Sequence, residues 1–225
     1  MKGALHQYLK QQKALYGNEL YLSYEPAPLS EPKAEKKDPL ANSKLDAYNQ
    51  SICTCLECPL GETRTNFVFG VGDPNADLFL VGEAPGEQED LKGEPFVGRA
   101  GKMLDKVLYA IDRKRGDGVY IANVIKCRPP NNRDPLPSEV KKCEPYLIEQ
   151  ISQIQPKLIV ALGRVAGKTL LKMDFPLKET RDKTHDYNGT PLRVTFHPAA
   201  LLRNSNFKKP AWIDFQWIRD YLQNV

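Results

Sequence analysis

The chain has 225 residues, with 32 Lys and Arg against 28 Asp and Glu and a formal net charge of +4. With 41% hydrophobic and 27% charged residues it reads as a soluble globular protein, large enough for one core and an appendage. No apolar run approaches the roughly 18 residues of a membrane span, and so mild a positive charge permits a polyanionic partner without demanding one.

The first segment, MKGALHQYLKQQKALYG, has no secretory apolar region and no small-residue cleavage site, which points to a cytoplasmic protein. Residues 2–16 carry a helical period, with Leu5, Tyr8, Leu9 and Leu15 on a common face. YEPAPLSEPKAEKKDPLANS is rich in Pro, Lys and Glu and reads as a linker. The expected division is therefore an N-terminal helix plus flexible linker over residues 1–43 and a catalytic domain over 44–225.

From Lys44 the texture changes. LDAYNQSIC predicts a short helix. Short apolar runs at 77–82, 119–124, 157–162 and 191–196 predict strands buried on both faces. Helical patterns lie between them at 98–112, 137–154 and 164–172, the second announced by Ser138 with Glu139 in its first turn. A last helix, AWIDFQWIRDYLQ, follows Pro210. Strands alternating with helices imply an α/β fold with a mostly parallel sheet.

Ligands of such sheets bind at the carboxyl ends of the strands. The first strand empties into GEAPGEQED, the second holds Asn123 and runs into KCRPPNNRDP, the third gives GRVAG and the fourth HPAALLRN. Polar groups in sharp, Pro-containing turns converge there, as an active site requires.

Five cysteines in a cytosolic chain argue for metal or catalysis rather than disulfides. Cys55 and Cys58 form a CxxC pair, with Cys127 after the second strand and Cys143 in the following helix. Four thiolates hold either a tetrahedral zinc or an iron–sulfur cluster, and spacing alone does not settle which. The wide gap between Cys127 and Cys143 does not suit a zinc ribbon and favours the cluster. Cys53, one residue from Cys55, is a spare thiol.

The stretches CLECPLGETRTNFVFGVG, LFLVGEAPGEQEDLKGEPFVGRAGKMLD, VYIANVIKCRPPNNRDPLPSE, CEPYLIEQISQIQPKLIVALGRVA and VTFHPAALLRN resemble, in order, the family-4 uracil-DNA glycosylases. The resemblance covers about residues 44–222. It implies a three-layer α/β/α fold around a four-stranded, mainly parallel sheet, and a [4Fe–4S] cluster on Cys55, Cys58, Cys127 and Cys143. It implies excision of uracil from DNA as a monofunctional enzyme of base excision repair, working as a monomer away from membranes. On this reading residues 1–43 offer an attachment point for repair or replication proteins. Better-known branches of the superfamily carry an Asp where this chain has Ala84; a small residue there fits the family-4 pattern but leaves the attacking water without that partner.

Roles then follow from the chemistry of that reaction, with Phe96 and Glu89 placed by the family motif. The substrate site is expected at Gly82, Glu83, Ala84, Phe96, Asn123 and His197, with Glu83, Glu89, Asn123 and His197 as the catalytic set. Phe96 stacks on a base turned out of the helix. Asn123 accepts from uracil N3–H and donates to O4. Glu89 crowds the position where thymine carries its methyl. His197 donates to O2 as negative charge gathers on the departing base. Glu83, with Glu89 as second choice, faces the cationic sugar and its water. Leu201 and Leu202 form a wedge and Arg203 meets a phosphate, joined by Arg99, Lys126, Arg128 and Arg133. The rivals are a non-cutting DNA-damage sensor, a branch that crosslinks to the abasic sugar through a histidine, and a zinc-bound nucleotide hydrolase.

Overall fold

The architecture comes from a computed structural model, which describes Lys10, residues 39–174 and residues 176–225, with side chains at Lys10 and from residue 44 onward. The expected N-terminal helix and most of the linker lie outside the described residues. Lys10 pairs with Asp112 and its Nζ sits 4.6 Å over the Tyr109 ring.

The chain forms helix α1 (Pro39–Ile52), strand β1 (Val71–Gly72), β2 (Leu78–Gly82), α2 (Glu87–Lys92), α3 (Arg99–Ala110) and β3 (Val119–Asn123). Then follow α4 (Pro137–Ile154), β4 (Leu158–Leu162), α5 (Arg164–Leu171), β5 (His185–Tyr187), β6 (Thr190–Thr195), α6 (Pro198–Arg203) and α7 (Lys208–Gln223). Single-turn helices stand at Leu60–Thr63 and Leu177–Thr180. Among the described residues no helix is long and apolar enough to cross a membrane.

The sheet order is β1-β3-β2-β4-β6-β5. The four predicted strands are its parallel centre, β3-β2-β4-β6. Two short antiparallel strands, β1 and β5, extend it at the edges to six. The α/β expectation holds, and the four-strand count was short by these edges.

Every position of β2, β3 and β4 is buried, because the strands alternate side chains between two covered faces. Phe79, Val81, Tyr120, Ala122, Ile159 and Ala161 face α4, which contributes Leu147, Ile151 and Ile154. Leu78, Leu80, Val119, Ile121, Leu158 and Val160 face the other way, against Leu104, Val107 and Leu108 of α3 and Phe215 and Ile218 of α7. That is the three-layer arrangement.

Helix α4 starts differently from expectation. Its N-cap is Leu136, with Pro137 in the first turn, and the Leu136 N–H donates to Glu139 Oε2 at 2.8 Å. Ser138 is already inside the helix, so Glu139 supplies the cap that Ser138 was expected to supply.

Candidate active site

Register brings the strand ends together. Gly82 of β2 pairs with Asn123 of β3 in the parallel ladder. Beyond them the chain stays tied, Val124 N–H donating to Gly82 O at 2.9 Å and Ile125 N–H to Glu83 O at 3.2 Å. Gly82 has to be glycine: a Cβ there would lie 2.3 Å from Asn123 Oδ1 and 2.7 Å from the Phe96 ring. The absent side chain is the space into which an amide and an aromatic ring fold.

A cavity of about 820 Å³ opens at these carboxyl ends. Glu83, Ala84, Glu89, Phe96, Asn123, His197 and Arg203 line it, so the structure gathers residues drawn from four separate stretches. Phe96 and His197 lie ring to ring, centroids 5.5 Å apart. Among the described residues the Asn123 side-chain amide has no hydrogen-bond partner within the protein, which leaves it to a ligand. Its backbone is anchored instead: Lys126 Nζ donates to Asn123 O at 2.9 Å and to Gln150 Oε1 at 2.6 Å.

His197 caps α6. Its Nδ1 accepts the Ala199 N–H at 3.1 Å, so the ring proton resides on Nε2. Burial, with Arg203 adding to it and Glu89 opposing, pushes His197 down to about 4. The ring is therefore a neutral donor near neutral pH. Glu83 moves the other way. Burial, reinforced by Asp134 and opposed by Arg164, pushes its carboxyl up to about 7. Two ionisable groups on one cavity wall are thus driven in opposite directions.

Asp134 and Arg164 were not foreseen. Both line the cavity, 3.8 Å apart as an ion pair. The signal was available, since each follows a strand end in a turn already marked as polar, RDP and GRVAG.

Several expectations need correction. Leu201 is 2% exposed and packs in the core, so it is not placed as a wedge, whereas Leu202 is 41% exposed. Lys126 is fully buried and holds Asn123, so it does not meet a phosphate. Arg133 forms a two-pronged pair with the buried Glu139, at 2.9 and 2.6 Å. Arg128 Nε donates to Asn132 Oδ1 at 2.9 Å. Arg99 and Arg203 are exposed. Glu89 lines the cavity, but its Oε1 accepts the N–H groups of Val97 at 3.1 Å and Gly98 at 3.2 Å, so one oxygen is engaged in holding the Phe96 segment.

A second cluster lies on the α4 side of the sheet. Cys127 and Cys143 are buried, Cys55 and Cys58 partly so. Burial pushes Cys143 up to about 12 and raises Cys127, with Arg64 opposing and the neighbouring Cys58 and Cys55 adding to the rise at Cys127. Donors already aim at the sulfurs. Tyr146 O–H donates to Cys55 Sγ at 3.1 Å, Lys126 N–H to Cys143 Sγ at 3.3 Å and Arg64 Nη1 to Cys127 Sγ at 3.4 Å. Cys53 instead donates to Gln50 O at 3.5 Å. Among the described residues no three His, Cys, Asp or Glu side chains converge so as to hold a single metal ion.

Comparison with known proteins agrees with this geometry. Residues 69–218 match the family described as the uracil DNA glycosylase superfamily. The chain is similar to a type-4 uracil-DNA glycosylase of Archaeoglobus fulgidus, 45% identical over 182 residues, covering 77% of this chain and 91% of the relative. It is similar to that of Sulfurisphaera tokodaii at 43% over 184 residues, covering 78% and 84%, and to that of Saccharolobus solfataricus at 39% over 188 residues, covering 80% and 87%.

Proposed function

This chain belongs to the uracil DNA glycosylase superfamily, and we propose that it hydrolyses the bond between uracil and deoxyribose in DNA as a type-4 enzyme, leaving an abasic site for base excision repair. The observation that carries the reading is the single cavity uniting Glu83, Phe96, Asn123 and His197 at the strand ends.

The target base leaves the stack, which costs a few kcal/mol. Leu202 fills the gap, and Arg203 and Arg99 meet the backbone. The base lies on Phe96, a contact of about 1–3 kcal/mol that any base earns. Selection falls to Asn123, whose side-chain amide accepts from N3–H and donates to O4. A base with the reversed pattern leaves buried groups unpaired where the amide's orientation is held, since a flipped amide would fit it.

As the bond breaks, negative charge collects on the uracil and positive charge on the sugar. His197 donates Nε2–H to O2, a bond stronger in the transition state than in the ground state. Glu83, once ionised, stabilises the sugar cation and orients water on its opposite face. Ala84 supplies no acid to that water, so Glu83 serves both tasks. Glu89 holds the Phe96 segment and fills the cavity wall.

The four cysteines fit an iron–sulfur cluster. A buried thiolate needs a compensating cation, and hydrogen-bond donors reach the sulfurs of Cys55, Cys127 and Cys143. Such a cluster would take one thiolate from each of the four residues, so they need not be spaced to hold a single ion. Cys55, Cys58, Cys127 and Cys143 would hold it and Cys53 would not. When bound, the cluster supplies a clamp between the chain before β1 and helix α4, fixing the segment that carries Asn123.

The test is a labelled oligonucleotide with one uracil, incubated with the protein in EDTA and then treated with alkali. Cleavage at uracil and not at thymine or cytosine is expected. Retained DNA binding without cleavage would overturn the reading in favour of a damage sensor.

A further inference from the structure

Phe96 occupies a backbone conformation that side chains resist. Its φ is +54°, in the left-handed region, although its ring is the flat surface offered to the cavity. Three contacts hold it there. Glu89 accepts the next two N–H groups along the chain. Gly101 lets the Phe96 carbonyl lie against α3, where a Cβ would come within 1.6 Å of it.

The third contact comes from outside the cavity. Arg115, in the turn after α3, donates Nη1 to Pro95 O at 2.8 Å and Nη2 to Phe96 O at 2.9 Å. Asp105 on α3 holds the fork from behind, accepting from Nε at 3.3 Å and Nη2 at 3.0 Å. The Arg115 side chain is only 22% exposed. Two successive carbonyls turned toward one guanidinium are a recognition that a planar fork satisfies and an ammonium does not.

We infer that Arg115 is a positioning residue for base recognition, holding the strained Phe96 backbone so that the ring stays at stacking height over the cavity. It does not itself line the cavity and acts through the backbone of Pro95 and Phe96. The inference rests on the stacking role proposed for Phe96. Without the guanidinium both carbonyls turn to water, φ relaxes and the ring leaves its place.

The test is a double-mutant cycle on uracil release. Arg115→Ala should lower kcat/KM roughly tenfold, about the population shift set by losing the clamp on one left-handed residue. Most of that loss should sit in KM, since stacking precedes bond breaking. Arg115→Lys should recover part of it, and Asp105→Asn, which keeps the arginine but loosens its fork, should show a smaller loss of the same kind. In a Phe96→Ala background, Arg115→Ala should cost less than about twofold. Equal losses in both backgrounds would overturn the inference, because a residue that only stabilises the fold acts whether or not the ring is present. A second readout is independent of catalysis: 4-fluorophenylalanine placed at position 96 should shift or broaden its fluorine resonance in Arg115→Ala and Arg115→Lys. An unchanged resonance would overturn the positioning role, whereas a wild-type protein that releases no uracil would overturn the proposed function instead.

Discussion

Glu83 gives the sharpest quantitative prediction. Its carboxyl is pushed from an ordinary 4.5 to about 7, first by burial and then by Asp134, with Arg164 opposing. If the ionised form is the active one, about 9% of the enzyme is competent at pH 6 and about 91% at pH 8, so kcat should rise about tenfold across that interval. His197 adds no limb there, because it is already neutral above about 4. Glu83→Gln should be slow and flat with pH, Asp134→Asn should move the midpoint down and Arg164→Ala should move it up. Stability runs in the opposite sense. The folded state holds the proton more tightly than the unfolded chain, so Glu83 makes the protein less stable as pH rises from about 4.5 to about 7. The full difference corresponds to about 3 kcal/mol, which solvent contact at the cavity mouth reduces to about 1–2 kcal/mol. Glu83→Gln should therefore melt a few degrees higher than the parent at pH 8 and together with it near pH 4.5. The assay is single-turnover release of uracil at saturating DNA, beside thermal melts at both pH values. A parent profile flat from pH 6 to 8, or a limb that survives Glu83→Gln, would refute the assignment.

His197→Ala should lower turnover by about 2–4 kcal/mol of transition-state stabilisation while DNA affinity changes little, and equal losses in both would count against the donor role. Asn123→Asp should lower uracil excision and admit some cytosine, as measured on paired oligonucleotides; an unchanged uracil rate would remove Asn123 from recognition. The two leucines should separate cleanly. Leu201→Ala should cost about 2–5 kcal/mol of stability in a melt. Leu202→Ala should leave the melt within about 0.5 kcal/mol and lower excision from duplex more than from single-stranded DNA.

The central strands and long helices were legible because their patterns are continuous: buried runs of five residues, then helices with one apolar face. The edges were not read. Strand β1 is two residues long, too short for any period. Strand β5 carried a usable sign in Asn188-Gly189, whose φ values of 51° and 85° make the hairpin turn into β6. Lys126 defeated the reading for another reason. A lysine beside two arginines looks like a surface cation, and only the fold shows it sealed behind Asn123 and Gln150. Leu201 and Leu202 are adjacent and chemically alike, so which one turns inward depends on the phase of α6 against the core.

The acids after β2 divide by geometry rather than by composition. Glu83 stays beside the cavity, where burial keeps it poised near 7. Glu87 is solvent-exposed, 4.0 Å from Arg128. Glu89 accepts two N–H groups at the entry to α3. Asp90 is buried and accepts the N–H groups of Thr65 at 2.9 Å and Asn66 at 3.3 Å, stitching the segment before β1 to helix α2. One carboxylate of the four is thus left for chemistry, while two satisfy backbone donors of other segments. Those donors lie in neighbouring segments, at the entry to α3 and before β1, while the backbone of Glu87–Lys92 bonds to itself as helix α2. The acids in GEAPGEQED thus divide between one carboxylate left beside the cavity and two that hold neighbouring segments, one of them the segment that carries the Phe96 ring.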